Sequence, residues 1–113
     1  MAYKSRAIFD TLRSVAFGSI TASYTVVGVP LTNQAVIISF INDTNANLYI
    51  SLNGTSDQIY IPNNTAMIID VHTNQPGDGL FIASGTQIWA KHDGSAPTTG
   101  LLAMQTIYAG VTD

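Results

Sequence analysis

The sequence contains no cysteine and no glutamate among its 113 residues. Lacking cysteine, it has no disulfide framework and no thiolate for nucleophilic or zinc chemistry, and its redox compartment leaves no mark. Lacking glutamate, it draws all seven of its acids from aspartate. Charged residues make up only 10% of the chain, against about a quarter in an ordinary soluble domain. No apolar run approaches the roughly eighteen residues that a membrane-spanning helix needs, so no membrane partner is expected. The opening "MAYKSRAIFDTLRS" has no long apolar core and does not read as a signal peptide, which predicts synthesis in the cytoplasm. The net charge of −3 argues against a nucleic-acid partner, since phosphate binding takes a patch of several cations.

The few charges are unevenly placed. Lys4, Arg6 and Arg13 sit in the first thirteen positions, and a single base, Lys91, accompanies the six Asp beyond them. A mildly basic leader on an acidic body suits contact with an acidic protein surface. The same leader, "SRAIFDTLRSVAF", shows the chain's one stretch of helical spacing, through Ile8, Leu12 and Val15. An isolated helix that short is marginal in water. Residues 1–12 are therefore expected to be an arm, extended or briefly helical, that orders on a partner or sister subunit, with residues 13–113 as the single domain.

Apolar residues are plentiful, at 46%, so a core can form. Turn signals recur about every ten residues, among them Gly28-Val29-Pro30, Asn53-Gly54, Pro62-Asn63-Asn64 and Gly94-Ser95-Ala96-Pro97, the rhythm of an all-β sandwich or barrel. The runs between them are rich in Ile, Val, Tyr, Phe and Thr, which suit a pleated sheet. Alternation puts Leu48, Ile50 and Leu52 on one face and Tyr49 and Ser51 on the other. It sets Met67, Ile69 and Val71 against Ala66, Ile68 and Asp70, and Ile88 and Ala90 against Trp89 and Lys91. Leu102, Met104, Thr106 and Tyr108 likewise oppose Leu101, Ala103, Gln105 and Ile107. This last run and "AVIISFI" (35–41) are apolar on both faces and read as central strands. The prediction is an antiparallel, jelly-roll-like β-sandwich of about eight strands with an N-terminal arm.

Catalytic chemistry finds little to build on. The bases are His72 and His92; Asp70 and His72 share a strand face, and a small hydrolase using that pair is the enzymatic alternative. Two histidines without Cys or Glu make no zinc site, and most Asp fall in turns, where they serve the backbone. "DTNAN" (43–47) copies the start of a calcium loop, but Leu48 stands where that loop needs Gly and Gly54 where it needs an acid. It reads as a hairpin connection. No Gly-rich phosphate loop is present. The expectation is a protein that is not an enzyme and uses no metal or cofactor. Three N-x-[ST] matches, at Asn42, Asn53 and Asn63, carry little weight without a secretory signal. Tyr24, Tyr49, Tyr60, Trp89 and Tyr108 could form an aromatic protein interface or a sugar-stacking platform.

Taken together, "AFGSI" (16–20), the "NDT" turn (42–44), Gly54…Asp57…Ile61-Pro62, Asp70…Thr73-Asn74, Gly85…Ile88-Trp89 and the closing "YAG" (108–110) resemble the layout of small virion proteins of tailed phages. The likeness spans nearly the whole chain beyond Leu12, and it is greatest to the capsid decoration (cement or staple) proteins of short-tailed phages. That resemblance implies a structural protein on the phage head, bound to the major capsid protein and to further copies of itself as a homodimer or homotrimer. Tail, baseplate and head–tail joining components share the layout and remain alternatives, as does a carbohydrate-binding β-sandwich. The partner-binding residues expected on this basis are Lys4, Arg6, Ile8, Phe9, Arg13, Tyr49, Trp89 and Tyr108. A charge-poor, short-chained surface fits such a role, because covering it costs little side-chain entropy and little charge desolvation.

Overall fold

The computed structural model describes residues 4–70 and 82–112, with only the backbone described for 4–6 and 109–112. Its nine strands are β1 (Lys4–Phe9), β2 (Arg13–Ala16), β3 (Thr25–Val26), β4 (Ile37–Thr44), β5 (Leu48–Ser51), β6 (Ile59–Ile61), β7 (Thr65–Asp70), β8 (Trp89–His92) and β9 (Gly100–Thr112). A short 3-10 turn at Phe17–Ser19 follows β2. All pairings are antiparallel, in two sheets. In the first, β9 has β4 and then β7 on one side and both β1 and β2 on the other; the second runs β3-β8-β5-β6. Thus β2 pairs with β9, β3 with β8, β4 with β7 and β5 with β6. This is one long hairpin folded over into two layers, the jelly-roll arrangement. The expected eight strands are β2–β9, and β1 is the addition.

The residues expected as an arm contribute that addition. Residues 4–9 are extended and lie on β9 from Lys4↔Thr112 to Phe9↔Ile107. The helical spacing of Ile8, Leu12 and Val15 is not used: Val15 is buried on β2, Leu12 is exposed and Ile8 sits on β1. Three residues on one helical stripe were equally compatible with two short strands joined by a bend, and pairing with β9 satisfies the backbone groups of those strands.

Alternation sets the core-facing residues of the strands. Ile38 and Phe40 of β4, Leu48 and Ile50 of β5, Ile61 of β6, Ala90 of β8 and Leu102 and Met104 of β9 point between the sheets and are buried. With Val27, Leu31 and Ile88 they form one continuous core, and Met67 and Ile69 of β7 pack against it.

Two buried polar groups fasten this core. Asn42 on β4 donates through Nδ2 to the carbonyl oxygens of Ala46, Ile61 and Pro62 at 3.0–3.1 Å. Its Oδ1 accepts from the Thr44 N–H and hydroxyl. The side chain therefore ties the first sheet to the β6 edge of the second. "DTNAN" consequently carries the chain from one sheet to the other rather than closing a hairpin, since β4 pairs with β7 and β9 and not with β5. Burial also leaves Asn42 unable to carry a glycan in the folded chain. Asn42→Leu, close in size but without donors, leaves buried carbonyls unpaired and is expected to cost about 2–4 kcal/mol in urea unfolding. A loss below about 0.5 kcal/mol contradicts this account.

Arg13 is the second fastener, and here an expectation is corrected. Placed in the sequence among the partner-binding residues, it lies inside the protein with only 2% of its surface exposed. Its guanidinium donates to the carbonyl oxygens of Thr11, Val29 and Pro30 and to the Thr32 hydroxyl. Asp10 stands 3.7 Å away. A cation just after the polar Asp10-Thr11 pair reads as surface in a sequence. Alternation on β2 turns it inward beside Val15, and the 28–32 loop supplies the acceptors that make burial tolerable.

Candidate functional site

A two-layer sandwich has two outer faces, and in this chain they differ in chemistry. On the first sheet the residues opposite the core are aliphatic. Ile41 lies between Ala103 and Ala66, Ser39 between Gln105 and Ile68, and Ile37 between Ile107 and Asp70, with Phe9 flanking Ile107. Phe9 and Ile68 are 66% and 73% exposed, and Ile41 and Leu101 are exposed as well. Sheet twist makes the face concave between β1 and β7. A groove of about 350 Å³ runs there, walled by Phe9 and Ile68 and floored by Ile37, Ser39, Gln105 and Ile107. Asp43 ends β4's outer row, and Asp70 of β7 lies opposite Ile37 at the other end. Exposed apolar residues clustered on one sheet face suit a surface that another molecule covers.

The outer face of the second sheet is aromatic and polar. Tyr49 on β5 lies between Tyr60 on β6 and Lys91 on β8. The Tyr49 and Tyr60 rings are 5.3 Å apart at 54°. Lys91 Nζ reaches Asp57 at 3.1 Å and stands 4.8 Å from the centre of the Tyr24 ring. The Tyr24 hydroxyl donates to Asp57 at 2.5 Å. Asp57 comes from the β5–β6 loop, which Asn53 shapes by accepting from the N–H groups of Thr55 and Ser56. Gly54 of that loop, at φ +79°, lies against the Trp89 indole so closely that an added Cβ would come within 3.0 Å of it. Burial and the Asp57 hydrogen bond raise the Tyr24 phenol well above its ordinary value. The same bond, with Lys91, holds Asp57 below its own. The nearby Asp93 charge, with some desolvation, raises Tyr49.

The residues singled out in the sequence therefore part company. Phe9 joins the aliphatic face, whereas Tyr49 and Trp89 join the aromatic one, with Trp89 half-buried under the Gly54 loop. Ile8 and Tyr108 are cross-strand partners one residue along from Phe9 and Ile107, on the core-facing side of the sheet, and are half-buried. Arg13 is internal. Lys4 and Arg6 are described only through their backbone pairing with Thr112 and Gly110. Ile37, Ile41, Ile68, Leu101 and Ile107 were not singled out, and of the Tyr24–Asp57–Lys91 cluster only Tyr24 was, as one of five aromatic residues. The signal for the first group was present, in central strands apolar on both faces; the second depends on a loop folding back across three strands.

No catalytic arrangement emerges among the described residues, and no group of three or more His, Cys, Asp or Glu could hold a metal ion there. His72 lies outside the described residues. His92 stands across from buried Leu48 with its Nδ1 buried and lacking a hydrogen-bond partner among them. No described helix is long and apolar enough to cross a membrane. Neither the protein-family models nor the curated proteins compared with this chain match it.

Proposed function

We propose that this chain is a structural virion protein, a capsid decoration protein that binds the major capsid protein of a phage head and stabilises the shell. The observation that carries the reading is the uncovered aliphatic face of Phe9, Ile37, Ile41, Ile68 and Ile107. It is joined by the charge-poor surface and by the resemblance of the strand and turn signatures to such proteins. The groove fits apolar side chains presented by a shell subunit. Covering Ile68 and Phe9 would contribute about 1.5–3 kcal/mol each. Each bound copy would favour the mature shell over its disrupted forms by mass action.

Co-sedimentation with phage heads assembled without the protein tests this. The native chain is expected to saturate the heads. Ile68→Asp, at an exposed position where the fold loses little, is expected to weaken binding about thirtyfold or more, or about 2 kcal/mol. Absence of binding by the native chain, or undiminished binding by Ile68→Asp, overturns the reading.

A further inference from the structure

The polar-tipped aromatic residues gather on the face that the proposed docking surface does not use. Tyr24, Tyr49, Tyr60 and Trp89 all belong to the outer side of β3, β8, β5 and β6 or its rim. The outer face of the first sheet carries Phe and Ile in their place. The division separates two kinds of ligand. Aliphatic rows favour a dry protein contact. Rings with hydroxyl tips favour a ligand apolar on one side and hydroxylated at its edge.

The charges narrow the choice. Lys91 is already held by Asp57 at 3.1 Å and lies near the rings of Tyr24 and Tyr49. Its charge is spent internally, so the patch offers no free cation for a phosphate or a polyanion. It retains a carboxylate held in place by Tyr24 and Lys91, beside the hydroxyls of Tyr49 and Tyr60. Tyr60 is 43% exposed, and its ring lies 5.3 Å from that of Tyr49 on the neighbouring strand, at 54° to it.

The geometry points to a carbohydrate-binding platform on the outer face of β5, β6 and β8 that takes a neutral hexopyranose chain. The C–H face of a sugar ring lies on Tyr60 beside Tyr49, and its hydroxyls meet the Asp57 carboxylate. Trp89, packed under the Gly54 loop, supports the platform from the next row and does not stack on the ligand. The two outer faces of a sandwich point in opposite directions, so a sugar bound here leaves the face of Phe9 and Ile68 free. The inference therefore stands apart from the docking reading, and either can fail without the other.

Saturation-transfer NMR with a panel of neutral gluco-, manno- and galacto-hexasaccharides at millimolar concentration tests it, with Trp89 fluorescence as a second readout. Transfer to at least one of these sugars is expected for the native chain. Tyr60→Ala should weaken that binding about tenfold, the effect of removing one central aromatic contact. Asp57→Asn, at an exposed loop position, should weaken it as well and serves as the second variant where Tyr60→Ala perturbs the fold. Ile68→Asp should leave it unchanged. Silence across the whole panel overturns the proposal, as does binding that survives both Tyr60→Ala and Asp57→Asn. Binding confined to acidic polymers and abolished by salt overturns it too, since that would make Lys91 a free cation.

Discussion

Arg13→Ala is expected to destabilise the protein by about 3–5 kcal/mol, the range for breaking a buried, hydrogen-bonded charge site. The substitution leaves the part-buried carbonyl oxygens of Thr11, Val29 and Pro30 without their donor and removes the cation beside Asp10. It also frees the 28–32 loop from β2. Urea unfolding should show a lower midpoint at an unchanged slope. Arg13→Lys should recover little, because one ammonium cannot reproduce a planar fork that meets several acceptors at once. An Arg13→Ala protein as stable as the native one, but deficient in binding, would return Arg13 to the surface role its sequence position implies.

The neighbouring carboxylate adds a pH signature with a definite sign. Burial works against the Asp10 charge, but the N–H groups of Thr11 and Asn33 and the Arg13 guanidinium outweigh it, so its pKa falls below the ordinary 3.8. A lowered folded-state pKa contributes stability that is present above the ordinary value and lost as pH falls through the lowered one. The stability difference between the native chain and Asp10→Asn should accordingly be greatest above that value and shrink in stronger acid.

Gly100→Ala is the second change with a large expected effect. Gly100 begins β9 at φ +88°, and a Cβ there would lie 1.7 Å from the Asp43 carbonyl oxygen and 2.8 Å from its carbon. Those are backbone atoms of β4, paired with β9 along its whole length, so no side chain can swing away. Separating the strands would disturb the central pairing of the first sheet. Alanine should cost more than about 3 kcal/mol and lower the soluble yield. Two other glycines divide the effect into its parts. Gly94, at φ +79° with nothing near its missing Cβ, isolates the backbone term, about 1–2 kcal/mol. Gly18, with open space and no left-handed backbone, should tolerate alanine within about 0.5 kcal/mol. If Gly100→Ala unfolds together with Gly94→Ala, the close approach to Asp43 is not a feature of the protein in solution.

Much of the architecture was legible because it rests on local rules. Strand alternation has a period of two residues whatever the rest of the chain does, so the inward positions of β5, β7 and β8 followed from periodicity alone. The Asn53-Gly54 turn was legible for the same reason, as Asn and Gly act on their own backbone. The aromatic face was half legible: alternation put Tyr49 and Trp89 opposite the core. It could not foresee Asp57 reaching Lys91 and Tyr24, which lie far along the chain.

What alternation could not decide was which apolar side of a central strand would meet the core. Ile37, Ile41, Leu101 and Ile107 look like Ile38, Phe40, Leu102 and Met104 in a sequence, yet the first four form the outer face. Only the second sheet, which covers one side of β4 and β9 and not the other, separates the two sets. Arg13 and Asn42 show the same limit. Their side chains are polar, and a polar residue enters a core only where acceptors from distant segments converge on it: Val29 and Pro30 for one, Ile61 and Pro62 for the other. Composition and period thus settled the class of fold and the strand faces, because those depend on near neighbours. Pairing across the chain settled which face stayed bare, which charge went inside and where the two candidate surfaces lie, because each depends on residues that meet only when the long hairpin folds over.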